Sequence, residues 1–240
     1  MQATPEMLAQ LLGPGKANRL VEYSRLLLEW NVKINLISRK ESSTVEDVLS
    51  RHVLPCMAFP LAANFQPDET VLDVGTGGGL PGLVSAICAP ETRFTLVDLR
   101  RKKIMVVSQI AKALSLKNVL PLHEKAENLA EKYDFVTGRG VTSLPRFVPL
   151  VTKNLRGRLI RSSRATRENG AHEVTGKDPD CTTSVASGTR CGPGILYMKG
   201  GDIQEEVEAL GFAPQLRATL DRWIPGYDDP SDSLLHFPTQ

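Results

Sequence analysis

The segment Val71-Leu72-Asp73-Val74-Gly75-Thr76-Gly77-Gly78-Gly79-Leu80-Pro81-Gly82 is the part of the chain best suited to hold a ligand. An apolar run ends in Gly75, Gly77, Gly78 and Gly79, where backbone without side chains can approach a ligand closely and take positive φ. Three ligand classes compete for such a turn. A P-loop needs Lys followed by Ser or Thr after the last glycine, and Leu83-Val84 stand there instead. A dinucleotide fingerprint can be drawn through Gly77, Gly79 and Gly82, but it is offset from the strand end, encloses Pro81 and follows an in-strand acid, Asp73. The third class is S-adenosylmethionine, whose binding loop runs apolar-apolar-Asp-apolar-Gly-x-Gly-x-Gly and is matched throughout. That ligand carries no phosphate, so the helix N-terminus need not face an anion. Asp73 is expected to order the loop and to face the ligand's cationic amino-acid end. Asp98 stands 23 residues after Gly75 and is expected to accept both ribose hydroxyls. The pair Ala126-Glu127 is expected to edge the adenine ring. The plain alternatives are a tight turn without ligand, a helix-capping Asp98 and a solvated Glu127.

The elements around these residues predict an α/β fold. Val71–Val74, Phe94–Val97, Val119-Leu120, Phe135-Val136 and Ile195–Met198 read as strands, and Leu216–Leu220 and Leu234–Phe237 as weaker ones. Helices of ten or so residues fall between the first strands, which is the βαβ pattern of a parallel sheet. Pro81 suits the first turn of the helix after the glycine loop. Residues 5–60 read as helical: Leu20, Tyr23, Leu27, Trp30 and Ile34 recur near helical spacing. A further helix is predicted to start at Ser43 or Thr44, with Asp47 in its first turn, and to end before Pro55. The expected division is a helical extension over 1–66 and a main unit over 67–240. Within it, residues 161–193 have almost no large apolar side chain and are expected to be a disordered insertion.

With 240 residues, 41% hydrophobic and 23% charged, the chain can bury a substantial core, which excludes wholesale disorder. Its 29 basic and 27 acidic residues leave a net charge of +2, so any nucleic-acid partner must be met by local clusters. The run Arg100, Arg101, Lys102 and Lys103 is one candidate. Arg156, Arg158, Arg161, Arg164 and Arg167 form another, with a solvated loop as the equal alternative. No apolar stretch is long enough for a membrane span, and the opening residues show no secretory leader. Cytoplasmic, monomeric protein is expected, with an organelle as the alternative. The cysteines Cys56, Cys88, Cys181 and Cys191 read as reduced thiols. His172, Cys181 and Cys191 fit no zinc-finger spacing, and no metal is expected.

Several segments read together resemble the glucose-inhibited division protein B family. They are 26–38 (LLLEWNVKINLIS), 51–55 (RHVLP), the glycine loop, 94–103, Ala126-Glu127-Asn128, 133–141 (YDFVTGRGV) and 196–202 (LYMKGGD). The resemblance covers most of residues 17–160 and 194–220. It implies a Rossmann-like, S-adenosylmethionine-dependent methyltransferase with a mostly parallel seven-stranded sheet and an N-terminal helical extension. The family modifies a guanine N7 in small-subunit ribosomal RNA, as naked RNA or as the ribosomal subunit. Gly75, Leu80, Ala126-Glu127 and Arg139 match its cofactor-contacting positions, and Lys199 a lysine near its substrate side. The chain departs from the family pattern in two places. Gly138-Arg139-Gly140 replaces Ser-Arg-Ala, and Pro55-Cys56 replaces an Asp-Ser pair.

The expected cofactor set is therefore Asp73, Gly75, Gly77, Gly79, Leu80, Asp98, Ala126, Glu127 and Arg139, and the expected RNA set Arg100, Arg101, Lys102, Lys103 and Lys199. Guanine N7 has an in-plane lone pair and no proton, so no catalytic base is assigned; Arg139 and Lys199 are assigned to positioning. The competing functions are a methyltransferase of the same fold acting on a small molecule or protein, an NAD-binding oxidoreductase, and an RNA-binding protein with a degenerate cofactor loop.

Overall fold

The computed structural model describes residues 2–40, 42–161 and 190–240. The sequence reading of 161–193 as an insertion lies, apart from Arg161 and residues 190–193, outside the described residues.

Among the described residues, five α-helices and one π turn precede the sheet. Helix α1 (Pro5–Leu12) starts where the Thr4 hydroxyl accepts from the Met7 amide, and α2 (Pro14–Lys33) runs for 20 residues. The Asn31 side chain ends α2 by accepting from the amides of Leu36 at 2.8 Å and Ile37 at 3.1 Å. Helix α3 (Val45–Val48) starts at the predicted Thr44, and Asp47, expected in its first turn, exchanges hydrogen bonds with Thr44 as a capping box. It does not stop before Pro55. The chain widens into a π turn over Leu49–Val53 and continues through Pro55 as α4 (Leu54–Cys56), then α5 (Ala58–Ala63). Proline lacks the amide that an α turn needs, and one wider turn lets the helix pass through it.

The sheet follows: β1 (Thr70–Val74), α6 (Gly82–Cys88), β2 (Arg93–Val97), α7 (Arg101–Ala113), β3 (Val119–Leu122), β4 (Phe135–Arg139), α8 (Leu144–Thr152), β5 (Gly194–Gly200), α9 (Gln204–Leu210), β6 (Leu216–Thr219) and β7 (Asp232–Pro238). The strand order is β3-β2-β1-β4-β5-β7-β6. The first five strands are parallel and β7 runs antiparallel to both of its neighbours. Both weaker strand expectations are thus strands, at the far edge.

Each central strand buries both faces, as a covered parallel sheet must. Val71, Phe94, Leu196 and Leu234 point into a core shared with α2, α6 and α7. Leu72, Val136, Ile195, Tyr197 and Leu235 point into the core under α8 and α9. Leu20, Tyr23 and Leu27 of α2 are fully buried in the first core, each contributing about 1.5–3 kcal/mol of apolar burial. Among the described residues, no helix is long and apolar enough to cross a membrane.

Candidate active site

The glycine loop leaves the C-terminal end of β1 and is held from three sides. From β2, the Val97 carbonyl accepts from the amides of Gly75 at 2.9 Å and Thr76 at 3.0 Å. Asp98 then crosses to it: one carboxylate oxygen accepts from the Gly77 amide at 3.0 Å and the other from the Arg100 amide at 2.8 Å. From below, Asp73 accepts from the Gly82 amide at 3.0 Å and from the Thr137 hydroxyl at 2.9 Å. From the helical side, the Tyr23 hydroxyl donates to the Gly78 carbonyl at 3.0 Å. Gly77 at φ +59° and Gly79 at φ +100° lie where other residues are strained. A Cβ on Gly79 would stand 2.4 Å from Leu83 Cδ1, so the loop also needs glycine there for closeness to α6.

Of the residues expected at the cofactor, Asp73 and Asp98 bond the glycine loop directly. Gly75, Gly77, Leu80 and Asp98 keep some accessible surface, and Gly79 is buried. Asp73 has no accessible surface. It orders the loop, as expected, but is sealed beneath it and does not face a ligand. Burial pushes its carboxyl up to about 6 against the lowering effect of its hydrogen bonds. Ala126 and Glu127 open a short 3-10 turn after β3, Ala126 buried and Glu127 exposed.

Arg139 stands at the end of β4, beside β1, and reaches the turn before Pro55. Its guanidinium donates to the carbonyls of His52 at 3.0 Å and Arg51 at 3.3 Å, and to Cys56 Sγ at 3.2 Å. Those acceptors belong to the wide turn that precedes Pro55 and to its neighbour, so the two departures from the family pattern meet at Arg139. Lys199 pairs with Glu206 at 2.5 Å, and Glu206 also accepts from the Leu144 amide at 2.8 Å. The chain between β4 and α8 is pinned by the Tyr197 hydroxyl, which accepts from the amides of Val141 and Thr142 at 3.1 Å and donates to the Thr142 carbonyl at 2.6 Å. Val141 closes over the glycine loop: its Cγ2 is 2.9 Å from where a Cβ on Gly75 would stand.

Of the basic run, Arg100, Arg101 and Lys102 are exposed at the start of α7. Lys103 is half-buried, its Nζ 3.8 Å from the Cβ position of Gly77. The second basic cluster is elsewhere. Arg156 pairs with Asp134 just before β4, at the opposite end of the sheet, and Arg161 lies over the Phe212 ring. Arg164 and Arg167 lie outside the described residues, as do His172 and Cys181.

Tyr23, Thr137, Tyr197 and Glu206 hold the site without having been singled out for it. Tyr23 and Tyr197 read as apolar-face residues in sequence, and nothing in their spacing announces a hydroxyl that reaches a loop 55 residues away.

Residues 16–173 match the family model described as GidB, rRNA small subunit methyltransferase G. Ribosomal RNA small subunit methyltransferase G of Flavobacterium psychrophilum is 38% identical over 183 residues, which is 76% of this chain and 73% of that protein. The protein of the same name from Cytophaga hutchinsonii is 32% identical over 227 residues, 95% of this chain and 94% of its own length. A SAM-dependent methyltransferase from Aquifex aeolicus of known structure is similar with a TM-score of 0.47 and 12% identity, covering 79% of this chain and 91% of that one.

Proposed function

The chain belongs to the GidB family, rRNA small subunit methyltransferase G, and from that premise we propose that it methylates a guanine N7 of small-subunit ribosomal RNA with S-adenosylmethionine as donor. The observation that carries this reading is the turn after β1: a glycine loop with positive φ at Gly75, Gly77 and Gly79, and Asp98 reaching across to the Gly77 amide from β2. The fold supports the same ligand class over NAD. A dinucleotide-binding sheet runs in the order 3-2-1-4-5-6, whereas here an antiparallel strand stands between the fifth and sixth positions.

The loop fits S-adenosylmethionine. Gly75, Gly77 and Leu80 offer backbone and an apolar surface. Asp98 accepts one hydrogen bond per oxygen, from the Gly77 amide and from the Arg100 amide, which leaves lone pairs for ribose hydroxyls. Ala126 and Glu127 are assigned to the adenine edge. Arg139 is assigned to shaping the cleft by holding the 51–56 turn, and Lys199 to fixing the start of α8 through Glu206. Bound there, S-adenosylmethionine supplies an electrophilic methyl, which the N7 lone pair accepts as the carbon–sulfur bond breaks and its electrons stay on sulfur. N7 has no proton to lose, so the protein's part is positioning rather than base catalysis.

Arg100, Arg101, Lys102 and Lys103 are assigned to RNA phosphate. Arg101 to Lys103 form the first turn of α7, where no acid balances them. Cations at a helix N-terminus are unfavourable by some tenths of a kcal/mol each unless an anion joins them. We also infer a cytoplasmic monomer with an N-terminal helical extension over 1–66 and a methyltransferase unit over 67–240.

The test is methylation of small ribosomal subunits and of naked RNA from them with isotope-labelled donor, followed by nucleoside mass spectrometry. Label in 7-methylguanosine is the expected result. Label in another nucleoside or in ribosomal protein overturns the assignment.

A further inference from the structure

A cavity of about 690 Å³ lies beside Arg139, lined among others by Glu46, Arg51, His52, Tyr227 and Asp232. It sits at the C-terminal ends of the strands, where sheets of this kind take their ligands. Arg139 is the last residue of β4. Asp232 is the first of β7 and pairs in register with Gly200, the last of β5. Val141, two residues beyond Arg139, closes on Gly75, so one short stretch of chain joins this cavity to the glycine turn.

Five carboxylates line the cavity, Glu46, Asp47, Asp228, Asp229 and Asp232. Asp47 and Asp229 accept from their own turns, and Asp232 is the one that stands on a strand of the sheet. One of its oxygens accepts from the Tyr227 hydroxyl at 2.9 Å, which fixes the plane of the carboxylate. Among the described residues nothing donates to the other oxygen. Arg139 lies within electrostatic reach of Asp232 but donates its hydrogen bonds to the carbonyls of Arg51 and His52 and to Cys56. The cavity therefore presents a held acceptor and a half-buried aromatic ring in Tyr227.

Resting on the N7 reading above, we propose that this cavity receives the target guanine and that Asp232 reads its Watson–Crick edge. Guanine alone among the four bases turns two adjacent donors, N1–H and the N2 amino group, toward one carboxylate. Adenine and cytosine offer one amino donor beside an acceptor, and uracil one imino donor between two acceptors. The same contact favours the reaction. Methylation at N7 leaves the purine with a positive charge and makes N1–H a stronger donor. A carboxylate on that edge is then held more tightly in the transition state than in the ground state, which is the condition for raising kcat.

The experiment measures binding of guanosine, 7-methylguanosine and adenosine to the full-length protein by calorimetry, with S-adenosylhomocysteine present. Wild type is expected to bind 7-methylguanosine roughly tenfold more tightly than guanosine, and adenosine weakest. In Asp232→Asn the preference for the methylated nucleoside disappears, while the melting temperature and S-adenosylhomocysteine affinity stay as in wild type. Tyr227→Phe, which removes one hydroxyl and keeps the ring, reduces the preference in part. It stands in for Asp232→Asn should that variant fail to fold. On small subunits, Asp232→Asn lowers kcat by roughly 10–100-fold. A wild type that binds neither nucleoside, or Asp232 and Tyr227 variants that keep the preference, overturns the proposal. Wild-type protein that labels no 7-methylguanosine in ribosomal RNA instead overturns the functional reading, a separate outcome read on a separate substrate.

Discussion

The Tyr23 hydroxyl, on the fully buried face of α2, donates to the carbonyl of Gly78 in the middle of the glycine loop, at 3.0 Å. The N-terminal helices are thus part of what shapes the loop. Leu27, one turn on, lies 2.7 Å from where a Cβ on Gly78 would stand. Tyr23→Phe keeps the ring and leaves that carbonyl unpaired. The expected cost is about 1–2 kcal/mol of stability and a several-fold loss of S-adenosylhomocysteine affinity. Urea unfolding and calorimetry check the two. An unchanged affinity with lowered stability would make the bond purely structural.

The glycines separate conformational strain from lack of space. Gly79→Ala meets both, positive φ and Leu83 Cδ1 at 2.4 Å, and is expected to cost roughly 2–4 kcal/mol and to abolish cofactor binding. Gly140 also has positive φ but nothing within 4 Å of its Cβ position. Gly140→Ala is expected to cost only about 1 kcal/mol and to leave cofactor affinity alone. Melting curves and ligand titration of the pair decide it; equal losses would mean that closeness to Leu83 is unimportant.

Asp98 does more than its place at the strand end announces. It joins the Gly77 amide to the start of α7. Asp98→Ala is expected to weaken S-adenosylhomocysteine binding by about 1.5–3 kcal/mol, the range for hydrogen bonds to a charged group. Asp98→Asn is expected to be milder, because an amide oxygen can still accept one bond. Calorimetry on both variants is the check, and wild-type affinity in Asp98→Ala would remove Asp98 from the cofactor set.

The parallel part of the sheet and the turn after β1 were legible because each has a local cause. Alternating β and α segments set the sheet, and glycines mark the turn. The helix start at Thr44 and Asp47 is equally local. Pro55 was misread as a helix end, since a one-residue rule cannot see that a widened turn lets the helix pass through. Asp73 was read as facing the ligand. Its burial depends on Thr137, in a strand 64 residues away, and on α6 folding back over it. The bonds of Arg139 to the turn before Pro55 were not legible, because two of their acceptors are backbone carbonyls that no residue pattern advertises.

His52 and Asp73 pull the pH dependence of stability in opposite directions. Burial, and then the charges of Arg139 and Arg51, push His52 down to about 4. Its unfolded value is near 6.5, so the unfolded chain takes up the proton first and stability falls as pH drops through that window. Asp73, pushed up to about 6 by burial, holds its proton better when folded. Its contribution is therefore lost as pH rises toward about 6. His52→Gln removes the first effect alone. The variant should gain stability relative to wild type between about pH 7 and pH 4, by on the order of 2–3 kcal/mol. Urea unfolding across that range tests this, and parallel curves would show that His52 titrates normally.

The C-terminal border of the segment expected to be an insertion is packed against the fold. Arg190 pairs with Glu69 at 2.5 Å, the Cys191 amide donates to the Ala62 carbonyl at 2.9 Å, and the Gly192 carbonyl lies 2.9 Å from His236 Nε2. Cys191 is 6% exposed. These residues fasten the entry of β5 to α5 and to the residue before β1, so the sequence-based border at 193 is several residues too late. Two linker replacements should then differ. One that spans 161–193 removes an ion pair, a backbone hydrogen bond and a buried side chain. One that spans 162–189 keeps all three. The wider replacement is expected to be less stable than the narrower by about 2–4 kcal/mol, mostly from the buried Cys191 and the half-buried pair. Their cofactor affinities should agree, because none of these contacts reaches the glycine loop. Melting both proteins side by side measures the difference, and identical midpoints would show that Arg190 to Pro193 add nothing to the fold.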